Sequence, residues 1–143
     1  MTFQLHPQLA QDCAFVTEFT LSHLLLLNER RFPWLVLVPK VPDIREIYQL
    51  NQQQRLQLMD ESCWLAERLQ AIFQPDKLNI ASIGNKVPQL HIHHVVRYQG
   101  DCAWPETVWS HATRERYSEA QIADQVAELK QALQLRGAVN TSV

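Results

Sequence analysis

The chain has 143 residues, of which 46% are hydrophobic and 20% charged, and its formal net charge is −2 at pH 7. This length fits one domain, which hides about 70% of the surface that its unfolded chain would expose. The near-neutral charge leaves no broad basic surface for a phosphate backbone, so nucleic acid is not an expected partner. Three scattered cysteines, without a CxxC pair, argue against a disulfide framework and for a reducing compartment.

The N-terminal part of the chain is predicted to form a short helix and two strands. Pro7 opens a short helix that continues through Ala10 to Val16, with His6 directly before it. The segments Phe19–Leu27 and Trp34–Val38 are apolar runs of strand length, separated by a polar connection. They are predicted to form a hairpin-like pair that is covered on both faces.

A long helix and two further strands follow. Asn51 and Gln54 have the spacing of a capping box, which predicts a helix start, and Pro75 ends the apolar pattern of this helix. Leu78–Ile83 and Gln89–Arg97 are predicted as strands on either side of a turn.

The last predicted element is a helix that Ser118 and Gln121 cap and that runs to about Leu135. Strands before and after a long helix indicate an α+β fold, with an antiparallel sheet of about five strands, one long helix packed on it and a C-terminal helix. Residues 1–137 are predicted to form the single domain, and residues 138–143 a frayed tail.

Chemistry is concentrated in the predicted strand Gln89–Arg97. Successive side chains of a strand point to opposite faces. The apolar residues take one face together with His94, which we interpret as a hydrogen-bonded strand residue. The other face carries four polar side chains: Gln89, His91, His93 and Arg97. Such a row, preceded by the turn Gly84-Asn85, is costly to bury without a purpose and is suited to lining a phosphoester site.

These residues resemble a known family. The pattern Gly84-Asn85-x-Val87-x-Gln89-x-His91-x-His93, followed by Arg97 and Gly100-Asp101, resembles the histidine-triad (HIT) superfamily, in which three histidines alternate with apolar residues. The resemblance spans about residues 20 to 101 and includes Leu27-Asn28, the strand that ends in Pro39, and the long helix. The segment Trp104–Trp109 is similar to the tail of bacterial members.

The resemblance implies a role for individual positions. His91 falls on the family's nucleophile, which attacks the α-phosphate of a nucleotide and forms a nucleotidyl-histidine intermediate. His93 is expected to hydrogen-bond phosphate oxygens or the leaving group, and Gln89 takes the first position of the triad. The expected substrate-binding and phosphate-binding residues are Asn28, Gly84, Asn85 and Arg97.

The implied function is that of a nucleotide hydrolase or transferase acting at an α-phosphate, as in a dinucleoside polyphosphate or a nucleoside phosphoramidate. A neutral imidazole suits this chemistry, since it is both a competent nucleophile and a good leaving group. No cofactor is expected to be required, and a divalent cation would enter only with the substrate. The expected protein is cytoplasmic and a homodimer, with a small-molecule nucleotide as its ligand and no membrane partner.

The sequence departs from the family pattern at two places. Gln89 stands where the family has the first histidine, and an amide cannot titrate, so a proton relay through this position is lost. Trp34-Leu35 stands where the family has Gly-His, so that Leu35 takes the place of a supporting histidine.

Two other functions remain open from the sequence. The same pocket could belong to a nucleotide-binding module with little or no turnover. Alternatively, His91 and His93 could be metal ligands, since two histidines at i and i+2 on a strand can bind zinc or iron with a third ligand. The candidates for that third ligand are Glu18, His23 and His111.

Overall fold

One antiparallel sheet of five strands organises the chain, in the order β1-β2-β3-β5-β4. A computed structural model describes residues 2–111 and 113–135, so the predicted tail at 138–143 lies outside the described residues. The strands are β1 (Cys13–Glu18), β2 (Ser22–Leu27), β3 (Trp34–Pro39), β4 (Lys77–Ala81) and β5 (Ile92–Arg97). The helices are α1 (Pro7–Asp12), α2 (Gln52–Phe73) and α3 (Glu119–Leu135), with single 3-10 turns at Ile47–Gln49 and Val108–Ser110. The predicted α+β fold is confirmed.

The first predicted helix is too long. It ends at Asp12, and the residues that follow form edge strand β1, which pairs antiparallel with β2. Pairing with the sheet here overrides the local helical pattern, because it buries Val16 completely. The next strand is shorter than predicted, since Phe19 N–H bonds to the carbonyl of Ser22 and closes a turn before β2.

Both long helices begin where their capping residues predict. Asn51 Oδ1 accepts the backbone N–H of Gln54, and the Gln54 side chain accepts the backbone N–H of Asn51. Ser118 and Gln121 make the same reciprocal pair at the start of α3. Each box satisfies two backbone donors that the first helical turn leaves without a partner.

The sheet is covered on both faces, as the continuously apolar β3 predicts. On the helix face, alternate residues of β2, β3 and β5 pack against α2 and α3; this core includes Leu24, Leu26, Leu35, Leu37, Ile92, Val96, Leu65, Leu69 and Leu129. On the opposite face, here called the loop face, the cover consists of α1 and loops; its core includes Leu9, Leu25, Trp34, Val36, Val87, Val95, Ala103 and Val108. The candidate site lies on the loop face.

Within residues 2–111 and 113–135, no helix combines the length and the apolar character needed to cross a bilayer.

Candidate active site

The residues that carry the chemistry lie where the chain enters β5. The strand begins at Ile92, so Gln89, Leu90 and His91 stand outside the ladder, contrary to the predicted strand Gln89–Arg97. The physical reason is that Leu90 N–H bonds to the carbonyl of Ile44 rather than to a neighbouring strand. Because these residues lie outside the ladder, the carbonyl of Gln89 is free to accept a hydrogen bond from a side chain.

His91 uses that carbonyl to fix its own proton. The ring nitrogen Nδ1 lies 2.7 Å from the Gln89 carbonyl oxygen, and a carbonyl can only accept, so Nδ1 carries the hydrogen. In the neutral ring, Nε2 is therefore unprotonated and has a free electron pair. Burial lowers the pKa of His91, the bond to Gln89 partly opposes that shift, and the charge of nearby His6 lowers the pKa further.

His93 has the opposite tautomer. The indole nitrogen of Trp34 donates to His93 Nδ1 over 2.9 Å, and an indole N–H can only donate. The proton of the neutral His93 ring must then be on Nε2. Burial lowers the pKa of His93 to about 3, with smaller contributions from His91, His94 and Arg114. Both site histidines are consequently neutral at pH 7.

Aromatic rings surround the two imidazoles. The ring centroids of His91 and His93 are 4.9 Å apart, and Trp109 lies 5.2 Å from His93 and 5.4 Å from Trp34, all in edge-to-face geometry. His91 and His93 are only 6% and 8% exposed. The surroundings are thus of low polarity, which strengthens any hydrogen bond that the imidazoles make to an anion.

The arrangement offers two adjacent and complementary groups. His91 presents an electron pair at Nε2, and His93 presents an N–H at Nε2. An electron pair can attack an electrophilic centre such as phosphorus, while a neighbouring N–H can bond to an oxygen on which negative charge develops. Such a pair is able to carry out acyl or phosphoryl transfer.

Gln89 is positioned differently from the histidines. Its side-chain oxygen accepts the backbone N–H of His6, and its amide nitrogen donates to the carbonyl of Gln4, both over 2.8 Å. The side chain therefore holds the N-terminal segment against the site. Sequence reasoning missed this contact, since the partners are more than 80 positions apart.

Arg97 is bonded within the protein, and its predicted phosphate contact stays a prediction. Its guanidinium is 2% exposed and makes a two-point ion pair with Asp101, at 2.8 and 3.1 Å. It also donates to Asn79 Oδ1 and to the carbonyl of Glu106, so four of its five N–H groups have partners within the protein. The alternation of side chains predicted correctly on which face Arg97 lies. Its guanidinium, however, is bonded to the loop that follows β5.

The remaining predicted ligand-binding residues lie on segments that follow other strands of the sheet. Gly84 and Asn85 form the β4–β5 connection, where Gly84 has a φ of +69° that glycine adopts at little cost. Asn28 follows β2 directly, and its side-chain oxygen accepts the backbone N–H of Tyr117. Their predicted contacts with a nucleotide stay predictions.

Two further residues of the sequence interpretation receive a definite place. Leu35 lies on the helix face, buried in the apolar core, so it cannot occupy the position of a supporting histidine; Trp34, one residue earlier, faces His93 instead. His94 is fully buried on the helix face, where its Nε2 accepts the hydroxyl of Ser62 and its Nδ1–H donates to the Ile92 carbonyl. This agrees with its interpretation as a hydrogen-bonded strand residue.

The metal alternative finds little support in the geometry. Among the residues that the structure describes, no three histidine, cysteine, aspartate or glutamate side chains cluster in a way that could hold an ion. Two of the suggested third ligands, His23 and Glu18, bond to each other over 3.0 Å.

Comparison with known proteins adds an independent finding. The HIT domain family matches residues 8–100. Among solved structures, a histidine-triad protein from Marinobacter aquaeolei VT8 is 46% identical, with a TM-score of 0.89 over 94% of this chain and 98% of the other. Histidine-triad proteins from Bradyrhizobium japonicum and Sinorhizobium meliloti 1021 are 36% and 34% identical, each with a TM-score of 0.87; they cover 93% and 92% of this chain and 99% and 97% of their own. The comparison with curated proteins gives no match.

The Arg97–Asp101 pair predicts how acid affects the fold. The Arg97 bonds lower the pKa of Asp101 to about 2 against the opposing effect of burial, so the ionised carboxylate stabilises the folded state above pH 4. We expect Asp101→Asn to lower the free energy of unfolding by about 2–4 kcal/mol at pH 7, because it leaves a buried cation without its counter-charge. Urea titrations from pH 7 to pH 2 should show the difference from wild type shrinking between pH 4 and pH 2.

A matched control is Asp124→Asn, which changes an exposed carboxylate on α3. It should leave the unfolding free energy within about 0.5 kcal/mol of wild type. Equal stability of the Asp101 and Asp124 variants at pH 7 would contradict the structural role of Arg97.

Proposed function

The chain belongs to the histidine-triad family of nucleotide-binding hydrolases and transferases, and from this premise we propose that it cleaves nucleotides at the α-phosphate through a nucleotidyl-histidine intermediate on His91. The observation that carries the proposal is the pair of opposite tautomers. The neutral ring of His91 has its electron pair on Nε2, and His93 next to it has a hydrogen on Nε2.

The proposed reaction has two displacements. In the first, His91 Nε2 attacks the α-phosphorus; a P–N bond forms while the bond to the leaving group breaks, and the leaving group departs with that electron pair. The substituted ring becomes cationic, and its Nδ1–H remains bonded to the Gln89 carbonyl, which stabilises the charge. In the second, water attacks phosphorus; a P–O bond forms, the P–N bond breaks and returns its electron pair to Nε2, and the proton that the water loses is released to solvent. Covalent catalysis thereby divides one difficult displacement into two easier ones.

His93 stabilises the charge that develops on the phosphoryl oxygens. Its Nε2–H is a fixed donor, because Trp34 occupies the other ring nitrogen. A well-placed donor of this kind contributes roughly 3–4 kcal/mol to the transition state in comparable sites. The low pKa of His93 means that it acts as a donor and not as an acid at pH 7.

Gln89 favours one class of leaving group. An amide has no titratable proton, and this side chain is already bonded to the N-terminal segment. A polyphosphate leaves as a stable anion without a proton from the enzyme, whereas an amine must be protonated. The substrate class that the site supports best is therefore a dinucleoside polyphosphate, ahead of a phosphoramidate.

The proposed mechanism predicts different losses for the two histidines. With dinucleoside polyphosphates as substrates, His91→Ala should abolish turnover, since no nucleophile remains, while His93→Ala should lower kcat by about a hundredfold to a thousandfold. Substrate labelled at the α-phosphate should leave acid-labile, base-stable label on wild-type protein and none on the His91 variant. The control is His23→Gln, whose histidine packs against Phe3 and Phe15 and bonds to Glu18 instead of facing His91.

The possible results separate the candidate functions. Turnover by the His91 variant at the wild-type rate would refute the nucleophile assignment. Tight nucleotide binding by wild-type protein, with neither label nor turnover across polyphosphates and phosphoramidates, would instead identify a nucleotide-binding module.

We also propose that the chain forms a homodimer through the edge of the sheet at β4. Among the described residues, this strand has a neighbour on one side only, and Ile80 is 48% exposed on the helix face. On the same side of the sheet, α2 exposes Leu56 and Met59, at 61% and 62%. An unpaired edge beside exposed apolar side chains is suited to a twofold contact that continues the sheet.

The dimer prediction is tested by sedimentation. Wild-type protein at micromolar concentration should sediment with twice the 16.6 kDa mass of one chain, and Met59→Glu together with Ile80→Lys should give monomers. The control is Gln52→Glu with Lys77→Gln, which changes exposed polar residues of the same elements. A monomeric wild-type protein would contradict the proposal.

A further inference from the structure

One residue, Gln89, accepts hydrogen bonds from two histidines. Its main-chain oxygen accepts His91 Nδ1–H over 2.7 Å, and its side-chain oxygen accepts the backbone N–H of His6 over 2.8 Å. Its amide nitrogen also donates to the carbonyl of Gln4, so the N-terminal segment is fixed at two points. Residue 6 is thereby attached to the same residue that orients the nucleophile.

The ring of His6 is itself oriented. Its Nδ1 accepts the backbone N–H of Gln8 over 3.0 Å, which makes His6 the N-cap of α1. Because a backbone N–H can only donate, the hydrogen of the neutral ring is on Nε2. His6 is only partly buried, and it lies close enough to His91 to influence the pKa of that residue.

From this geometry we propose that His6 is a substrate-binding residue, whose Nε2–H donates a hydrogen bond to a phosphate oxygen of the nucleotide on His91. The inference rests on the proposed function and extends it. The site then contains three imidazoles in space, from residues 6, 91 and 93, although the chain has glutamine at the first triad position. Gln89 is the positioning residue that brings the third imidazole to the site.

The proposed role of His6 is that of a hydrogen-bond donor to the phosphate. Its Nδ1 accepts the Gln8 N–H, so Nε2 is the ring atom that is left to donate to a ligand.

A single substitution separates the donor from the cap. His6→Asn keeps a side-chain oxygen at the position of Nδ1, which can accept the Gln8 N–H, and removes the Nε2–H. The probe is AMP, with affinity measured by calorimetry on the full chain. We expect His6→Asn to raise the Kd for AMP by about tenfold to a hundredfold, as for the loss of a hydrogen bond to an anion, with an unchanged Tm.

A double-mutant cycle tests the part played by Gln89. Gln89→Ala releases the N-terminal segment and should weaken AMP binding about as much as His6→Asn. The double variant should lose no more affinity for AMP than either single variant. The control is Gln8→Ala, which removes an exposed side chain bonded to Asp12 and keeps the backbone N–H of the cap. It should bind AMP as wild type does.

The outcomes distinguish this inference from the proposed function. AMP affinity of His6→Asn equal to that of wild type would overturn the inference while leaving the nucleophile assignment intact. Losses that multiply in the double variant would show that Gln89 acts on the ligand itself, which would also overturn it. Wild-type protein that binds no AMP and takes no label on His91 would refute both. If Gln89→Ala does not fold, His6→Asn alone decides.

Discussion

The hydrogen bond from His91 Nδ1 to the Gln89 carbonyl is the interaction on which the site depends. It decides which nitrogen of His91 has the free electron pair, and it exists only because the chain leaves the β ladder for residues 89–91. Leu90 replaces its lost ladder bond with one to Ile44, so the backbone polar group is satisfied although the strand has not begun. The irregular backbone at residues 89–91 is thus a condition for a defined tautomer of His91.

Burial of the His91 and His93 rings then determines their charge. An imidazole in a setting of low polarity loses its proton more readily, which is why the pKa values of His91 and His93 are lowered. Each buried ring has at least one hydrogen-bond partner, so the cost of desolvation is offset in part. The result is a pair of neutral groups that differ in which atom can donate, and in the proposed mechanism this difference gives the nucleophile and the stabilising donor their separate tasks.

Sequence patterns predicted the elements that depend on local rules and missed those that depend on distant partners. The capping residues placed the starts of α2 and α3, and alternation along the predicted strand Gln89–Arg97 placed His91 and His93 on one face and His94 on the other. The same alternation could not show that Asp101 would form an ion pair with Arg97, because that pair depends on how the following loop packs. Pairing with β2 likewise made a strand of residues that were predicted to be helical, and nothing near Gln89 signalled its contact with His6.

The family assignment and the chemistry rest on different observations. The domain match and the solved relatives establish the histidine-triad fold, while the orientation of each ring comes from its own hydrogen bonds. The most direct test is nitrogen NMR of protein labelled with 15N-histidine at pH 7. We expect a neutral His91 protonated on Nδ1 and a neutral His93 protonated on Nε2. A His91 ring that is charged, or that carries its hydrogen on Nε2, would contradict it.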